Sequence, residues 1–211
     1  MAWPTWSSES GPRGTVRRRP SYACSPARCP TRSSPSRIRR SLPSLGLDED
    51  TLSPVFVNFD AEPHFLVLGD VESGKSNVLR SVARGITTRW TPKEAKIVTF
   101  DYRWGMIGAI TTGHQLAYVT NSADAPEMVK QIADAMRTRL AGIKVDPTAQ
   151  EIPRWDGPKL FVLIDDYEMI AAAQPNPIHA LLEFLPQARD IGLHVVITRS
   201  AGGSGGASFE P

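Results

Sequence analysis

The sequence has little cysteine. Cys24 and Cys29 are the only two, and residues 46–211 have none. That excludes a disulfide framework for the main body of the chain, and two thiols with no histidine beside them are too few for a structural zinc site. The four histidines, His64, His114, His179 and His194, show no metal-ligand spacing. Acidic residues are missing from residues 1–45 except for Glu9, and lysine is absent there altogether. The same stretch has no long apolar run, so neither a secretory leader nor a membrane span is expected within it.

What residues 1–45 do contain is nine arginines, seven prolines and ten serines, a net charge of +8. The other 166 residues carry a net of −6, so the overall +2 describes neither part. A segment this polar cannot bury enough surface to offset the entropy of ordering it, and it is expected to be disordered. Arg17 to Arg19 and Arg39-Arg40 could attract nucleic acid or acidic lipid. An arginine-, proline- and serine-rich run without lysine also has the composition of a GC-rich reading frame translated out of phase. The second reading is preferred, because no pattern in the segment ties it to a partner. The domain boundary is set at 1–45 and 46–211.

Residues 69–76 read Gly-Asp-Val-Glu-Ser-Gly-Lys-Ser, which fits Gly-x-x-x-x-Gly-Lys-Ser/Thr, the phosphate-binding loop of nucleoside triphosphatases. Gly69 and Gly74 are expected to take backbone angles closed to other residues, turning the N–H groups of Asp70, Val71, Glu72 and Ser73 around a phosphate. Lys75 would place a point charge on the β- and γ-phosphates, and Ser76 would offer a hydroxyl to Mg²⁺. Asn77 begins the helix whose dipole adds to the attraction. A glycine turn matching by chance is the alternative, and the flanks argue against it. His64 to Leu68 is a short apolar run of strand type, and residues 77–90 are long enough for a helix.

The remaining chain alternates strands with helices. Residues 54–57 with Phe59 form a strand before the loop, residues 96–100 a second apolar strand ending at Asp101, and residues 116–119 a weak short one. Asp124 caps a helix with Pro126 in its first turn, and Met128, Val129, Ile132, Ala133, Met136 and Leu140 recur at helical spacing as its core face. Residues 146–157 read as a polar loop. Residues 159–164 are apolar along almost their whole length, as a strand covered on both faces must be. Residues 178–191 are expected to be a helix punctuated by Pro186, and residues 193–198 a last strand. This order predicts an α/β fold of the P-loop type, a parallel sheet sandwiched by helices. Ligands in such sheets sit at the carboxyl ends of strands, where Gly69, Asp101, Asp165 and Thr198 all fall.

An apolar strand ending in Asp165-Asp166 is the Walker B arrangement. Mg²⁺ takes hard oxygen ligands and keeps most of its waters, so a single aspartate, Asp165, suffices for the metal. Asp166 is placed to orient or deprotonate the attacking water, and is the candidate catalytic residue. Thr198 and Arg199, after the last strand, are candidate sensors of the γ-phosphate, although Arg199 reads equally as an ordinary surface residue. The chemistry of Asp101-Tyr-Arg103 is ambiguous on its own.

Residues 63–70, 101–103, 161–168 and 185–194 together resemble EccC, the FtsK/SpoIIIE-type ATPase of ESX (type VII) secretion systems, in particular its C-terminal ATPase domain. The likeness covers about residues 45–211. It implies a RecA-like (ASCE) domain that binds ATP and Mg²⁺. Such a domain is one of several ATPase domains in a motor that works as a hexamer on the cytoplasmic side of the membrane. It also implies recognition of the C-terminal tails of small helical Trp-x-Gly secretion substrates. Residues 1–45 match nothing in that family, and its transmembrane and other ATPase domains have no counterpart here. The carboxyl terminus stops short of a further helix and strand. The chain therefore reads as a fragment whose sheet lacks its last strand, leaving an exposed edge.

FtsK-type motors usually end Walker B in Asp-Glu and carry a glutamine after the last strand; here the residues are Asp-Asp and Arg199. Asp166 is one methylene shorter than glutamate, and a displacement of about 1 Å can cost on the order of a hundredfold in rate. ATP binding with slow or conditional hydrolysis is the expectation. A DNA-translocating motor is the first alternative, weakened by the net negative charge of residues 46–211, since DNA binding rests on phosphate neutralisation. A regulatory module that holds ATP and presents a peptide groove is the second. A small-molecule kinase is disfavoured, with no second phosphate-acceptor motif or lid in the sequence.

Overall fold

Short apolar runs set the central sheet, and their alternation decides what each face touches. The computed structural model describes residues 44–143 and 153–201, all within the unit spanning residues 37–211. The expected disordered tail, up to residue 43, and the first part of the polar loop, residues 146–152, lie outside the described residues.

Five strands, β3 (His64–Leu68), β4 (Ala95–Phe100), β5 (Gln115–Val119), β6 (Lys159–Ile164) and β7 (Leu193–Arg199), form one sheet in the order β3-β7-β6-β4-β5. Every neighbouring pair is parallel. Two more, β1 (Ser44–Leu47) and β2 (Pro54–Phe56), pair antiparallel in a separate small sheet. β2 falls where a strand is expected, but it joins β1 rather than the main sheet. β1 straddles the boundary drawn at residue 45.

Side chains alternate across a strand with period two. On one face, Ile97 of β4, Phe161 and Leu163 of β6 and Val196 of β7 meet α1 (Lys75–Arg89) through its buried stripe Leu79, Val82, Ala83 and Ile86. On the other, Val98, Phe100, Val162, Ile164 and Val195 meet α2 (Ala125–Gly142), α3 (Tyr167–Ala171), a 3₁₀ helix (Pro177–Gln187) and α4 (Ala188–Ile191). Burying each large aliphatic side chain stabilises by about 1.5–3 kcal/mol. That outweighs the poor intrinsic helix preference of Gly85, Ile86, Thr87 and Thr88, which costs up to about 1 kcal/mol per residue.

The helix expected over residues 178–191 is a 3₁₀ segment followed by a single α turn. Pro186 lacks an N–H and crowds the carbonyl four residues back, so an α-helix cannot run through it unbroken. In the α2 stripe Leu140 is at the margin, 36% exposed. Among the described residues β3 is an edge of the sheet, with Leu66 and Leu68 exposed.

Candidate nucleotide site

The loop after β3 turns directly into α1. Gly74 takes φ 89°, the left-handed region that glycine adopts without a Cβ penalty. Gly69 is needed for a different reason from the one expected. It is not among the positive-φ residues; a Cβ there would sit 2.3 Å from the Ser73 hydroxyl and 3.1 Å from its Cβ, so the Ser73 side chain would have to shift. The first turn of α1 holds no acidic residue, which leaves its positive end for an anion. The Lys75 ammonium donates to the Asp70 carbonyl at 2.7 Å, folding the lysine back over the loop. The loop is also tied to β7: the Gly69 N–H donates to the Arg199 carbonyl at 3.1 Å, and the Ala201 N–H donates to the Gly69 carbonyl at 3.3 Å.

Alternation places the polar strand ends. Ile97, Phe161, Leu163 and Val196 face α1, so Asp101, Asp165 and Thr198, at even spacing beyond them, point to the same face at the carboxyl ends. Ser76 Oγ donates to Asp165 Oδ2 at 2.7 Å. The Thr198 hydroxyl donates to Asp165 Oδ1 at 2.6 Å and accepts the Asp166 N–H at 2.8 Å. Asp165 is thus gripped on both oxygens, 3% exposed. Asp166 has φ 48°, and its carboxylate lies 3.3 Å from the Arg103 guanidinium. Burial, then the Asp165 charge, push its pKa above the usual carboxylate value, and Arg103 and Lys75 oppose them.

The cavity has a volume of about 650 Å³, in the range of small-molecule sites. The loop residues 71–77 line it together with Arg103, Gly105, Asp166 and Glu168.

The sequence profile of the FtsK/SpoIIIE family matches residues 30–201 of the 211. The chain belongs to the FtsK/SpoIIIE family. Among the relatives of this FtsK/SpoIIIE chain, the ESX secretion system protein EccC of Thermomonospora curvata is 46% identical over 168 residues, 79% of this chain and 13% of that protein. The ESX-4 secretion system protein EccC4 of Mycobacterium tuberculosis is 39% identical over 169 residues, again 79% of this chain and 14% of the relative. The solved structure of Thermomonospora curvata EccC (ATPases 2 and 3) in complex with a signal sequence peptide superposes with a TM-score of 0.74 at 43% identity. It covers 85% of this chain and 32% of that one. The chain is therefore homologous to EccC ATPase domains and spans only 13–14% of the length of these two EccC relatives.

Within the FtsK/SpoIIIE domain the expected site residues do not all line the cavity; Asp165 is buried behind it, bonded to Ser76 and Thr198. Residues 71–77 and Asp166 line the cavity, whereas Gly69 and Asp70 underlie it through their backbone bonds. Thr198 is fully buried with its hydroxyl engaged behind the two aspartates. Arg199 lines a separate apolar cavity with His64, Phe65 and Leu185. The sequence reading missed Arg80, Gly105, Glu168, Met169 and Ser200, which also border the cavity, and it left Arg103 open. Asp101 at a strand end was the available signal. It is buried and accepts the N–H groups of Arg103, Gly105 and Met106 and the Tyr118 hydroxyl, shaping the loop that carries Arg103.

The donor set suits Mg²⁺. Ser76 and Asp165 present hard oxygens side by side, and Mg²⁺ in such sites takes the rest of its shell from phosphate and water. Among the described residues no cluster of three or more His, Cys, Asp or Glu could hold a metal alone. No helix among them is long and apolar enough to cross a membrane.

Proposed function

We propose that this domain binds ATP with Mg²⁺ in the cavity between the residue 69–77 loop and the strand ends. The observation that carries the reading is the 2.7 Å contact between Ser76 and Asp165, which brings the phosphate loop and the Walker B strand to one point. Gly69 to Asn77 cradle the phosphates, with Lys75 leaving its backbone tether to reach the β- and γ-oxygens. Ser76 and Asp165 hold the metal, which when bound draws charge from the phosphate oxygens. Asp166 accepts the proton of the attacking water, and its raised pKa suits a group that must exchange a proton. Thr198 positions both acids. The shorter Asp166 side chain supports slow or conditional hydrolysis.

The same reading places the chain, as in the EccC relatives, with other ATPase domains in a protein-secretion motor at the cytoplasmic face of the membrane. The hexamer and the Trp-x-Gly substrates belong to this proposal. A peptide-recognition role is a second reading, favoured by the apolar cavity of about 260 Å³ bordered by Phe65, Leu66, Leu181, Leu185 and Ile197 beside β3, an edge of the sheet among the described residues. DNA translocation has no comparable observation behind it.

The test is ATP binding and phosphate release by the full chain beside Lys75→Ala. The variant is expected to bind ATP at least tenfold more weakly, a loss of about 1.4 kcal/mol or more. Equal affinity in the two proteins removes the site.

A further inference from the structure

The loop leaving β4 has a fixed base and a free arm. Asp101 gathers the N–H groups of Arg103 and Gly105 on Oδ1, each at 3.1 Å, and that of Met106 on Oδ2 at 2.6 Å. The Gly105 carbonyl accepts from Arg80 Nε at 2.6 Å, one turn along α1 from Ser76. A Cβ on Gly105 would stand 3.0 Å from Asp165 Oδ2 and 3.5 Å from the Ser76 hydroxyl, so the backbone packs directly on the metal-binding pair. Between these anchors Trp104 takes φ 62°, an unfavourable angle for a large side chain. The Arg103 side chain projects from this base, 63% exposed, and makes one 3.3 Å contact with Asp166 across the mouth of the cavity. A single exposed ion pair of this kind is weak. A terminal phosphate offers the planar guanidinium three oxygens and a two-point contact, which is stronger.

We propose that Arg103 is a phosphate-reading latch, which holds Asp166 in the nucleotide-free chain and transfers to the terminal phosphate of a bound triphosphate. The inference rests on the ATP-binding reading above and assigns a residue that reading leaves out. A triphosphate, and not a diphosphate, then sets the Asp166 carboxylate free. The loop base does not have to move, because Asp101 and Arg80 fix it and only the arginine arm turns.

The experiment compares the Mg²⁺-dependent affinities of the full chain for ADP and for an ATP analogue with a non-hydrolysable β–γ bridge, by calorimetry. Wild type, Arg103→Gln, Arg103→Lys, Asp166→Asn and the Arg103→Gln/Asp166→Asn double variant are measured. Arg103→Gln is expected to weaken the triphosphate about tenfold and leave ADP unchanged, with Arg103→Lys recovering part of the loss. Asp166→Asn should tighten triphosphate binding when Arg103 is present and do so less in the Arg103→Gln background, a non-additivity that reports the contact. Equal weakening of both nucleotides, or strictly additive substitutions, overturns the latch. Thermal melting confirms that each variant is folded, as expected for a side chain mostly in solvent. Lys75→Ala, run alongside, separates the two failures. If it binds like the wild type, the nucleotide site itself is wrong; if it fails to bind while the Arg103 variants show no γ-phosphate preference, only the latch is wrong.

Discussion

Thr198 and His194 lie four residues apart on β7, on the same face and both buried, at 0% and 1% exposure. At the carboxyl end the Thr198 hydroxyl is bonded on two sides, to Asp165 and to the Asp166 N–H. At the amino end the His194 ring stacks on Phe161 at 4.6 Å beside Phe59, with Nδ1 at 3.3 Å from the Pro63 carbonyl and Nε2 unpartnered. Thr198 thus sits in a connected network with the two aspartates, whereas His194 is sealed in aromatic packing. A buried polar group costs stability unless its partners are supplied. The network therefore belongs where charge has to be held in place, and the aromatic end serves as foundation.

The largest effect that would sharpen this contrast is expected at Asp101. Replacing it with alanine strands three backbone N–H groups and the Tyr118 hydroxyl. The domain should lose about 3–5 kcal/mol, read by urea denaturation. A loss below about 1 kcal/mol would mean the network is not structural.

The second effect is a pH dependence at the opposite end. Burial first, then the nearby Lys159 charge, hold the His194 pKa down at about 3. An unfolded histidine titrates near 6.5. Between these values the unfolded chain carries a proton that the folded one lacks, so stability falls as pH drops from about 6.5 towards 3. The loss attributable to His194 should be about 2–4 kcal/mol by pH 4. His194→Leu should flatten the slope while changing stability at pH 7 by no more than about 1 kcal/mol. The pKa of His64 is lowered by burial too and contributes to the slope that remains. An unchanged slope in the variant would place the acid sensitivity elsewhere.

The smallest effect is at Thr198. Thr198→Val keeps the shape and removes the hydroxyl, at a cost of about 1–2 kcal/mol. Its sharper signature is a loss of Mg²⁺ dependence in ATP binding, since Asp165 would lose one of its two restraints. Retained Mg²⁺ dependence would show that Ser76 alone orients the carboxylate.

Most of this arrangement is legible in the chain because it is local. The phosphate loop is contiguous, and β3 and β6 occur over the residues expected from their apolar runs, 64–68 and 159–164. The pairing of Ser76 with Asp165 follows once the first turn of α1 and the end of β6 lie at the same edge of one parallel sheet. What escaped was set by packing. α3 is five residues long, too short to show a period, and β1 pairs with β2 through a contact no local pattern announces. The contact between Arg103 and Asp166 escaped because the two are distant in sequence and meet only through the pairing of β4 with β6. Thr198 was expected as a possible sensor of the γ-phosphate; its hydroxyl is bonded to Asp165 and to the Asp166 N–H, a contact that period-two alternation on β7 points to.

The paired bonds that join Gly69 to Arg199 and Ala201 have a mechanical meaning. Whatever pulls on the backbone just past β7 pulls on the first glycine of the phosphate cradle, with no side chain in between.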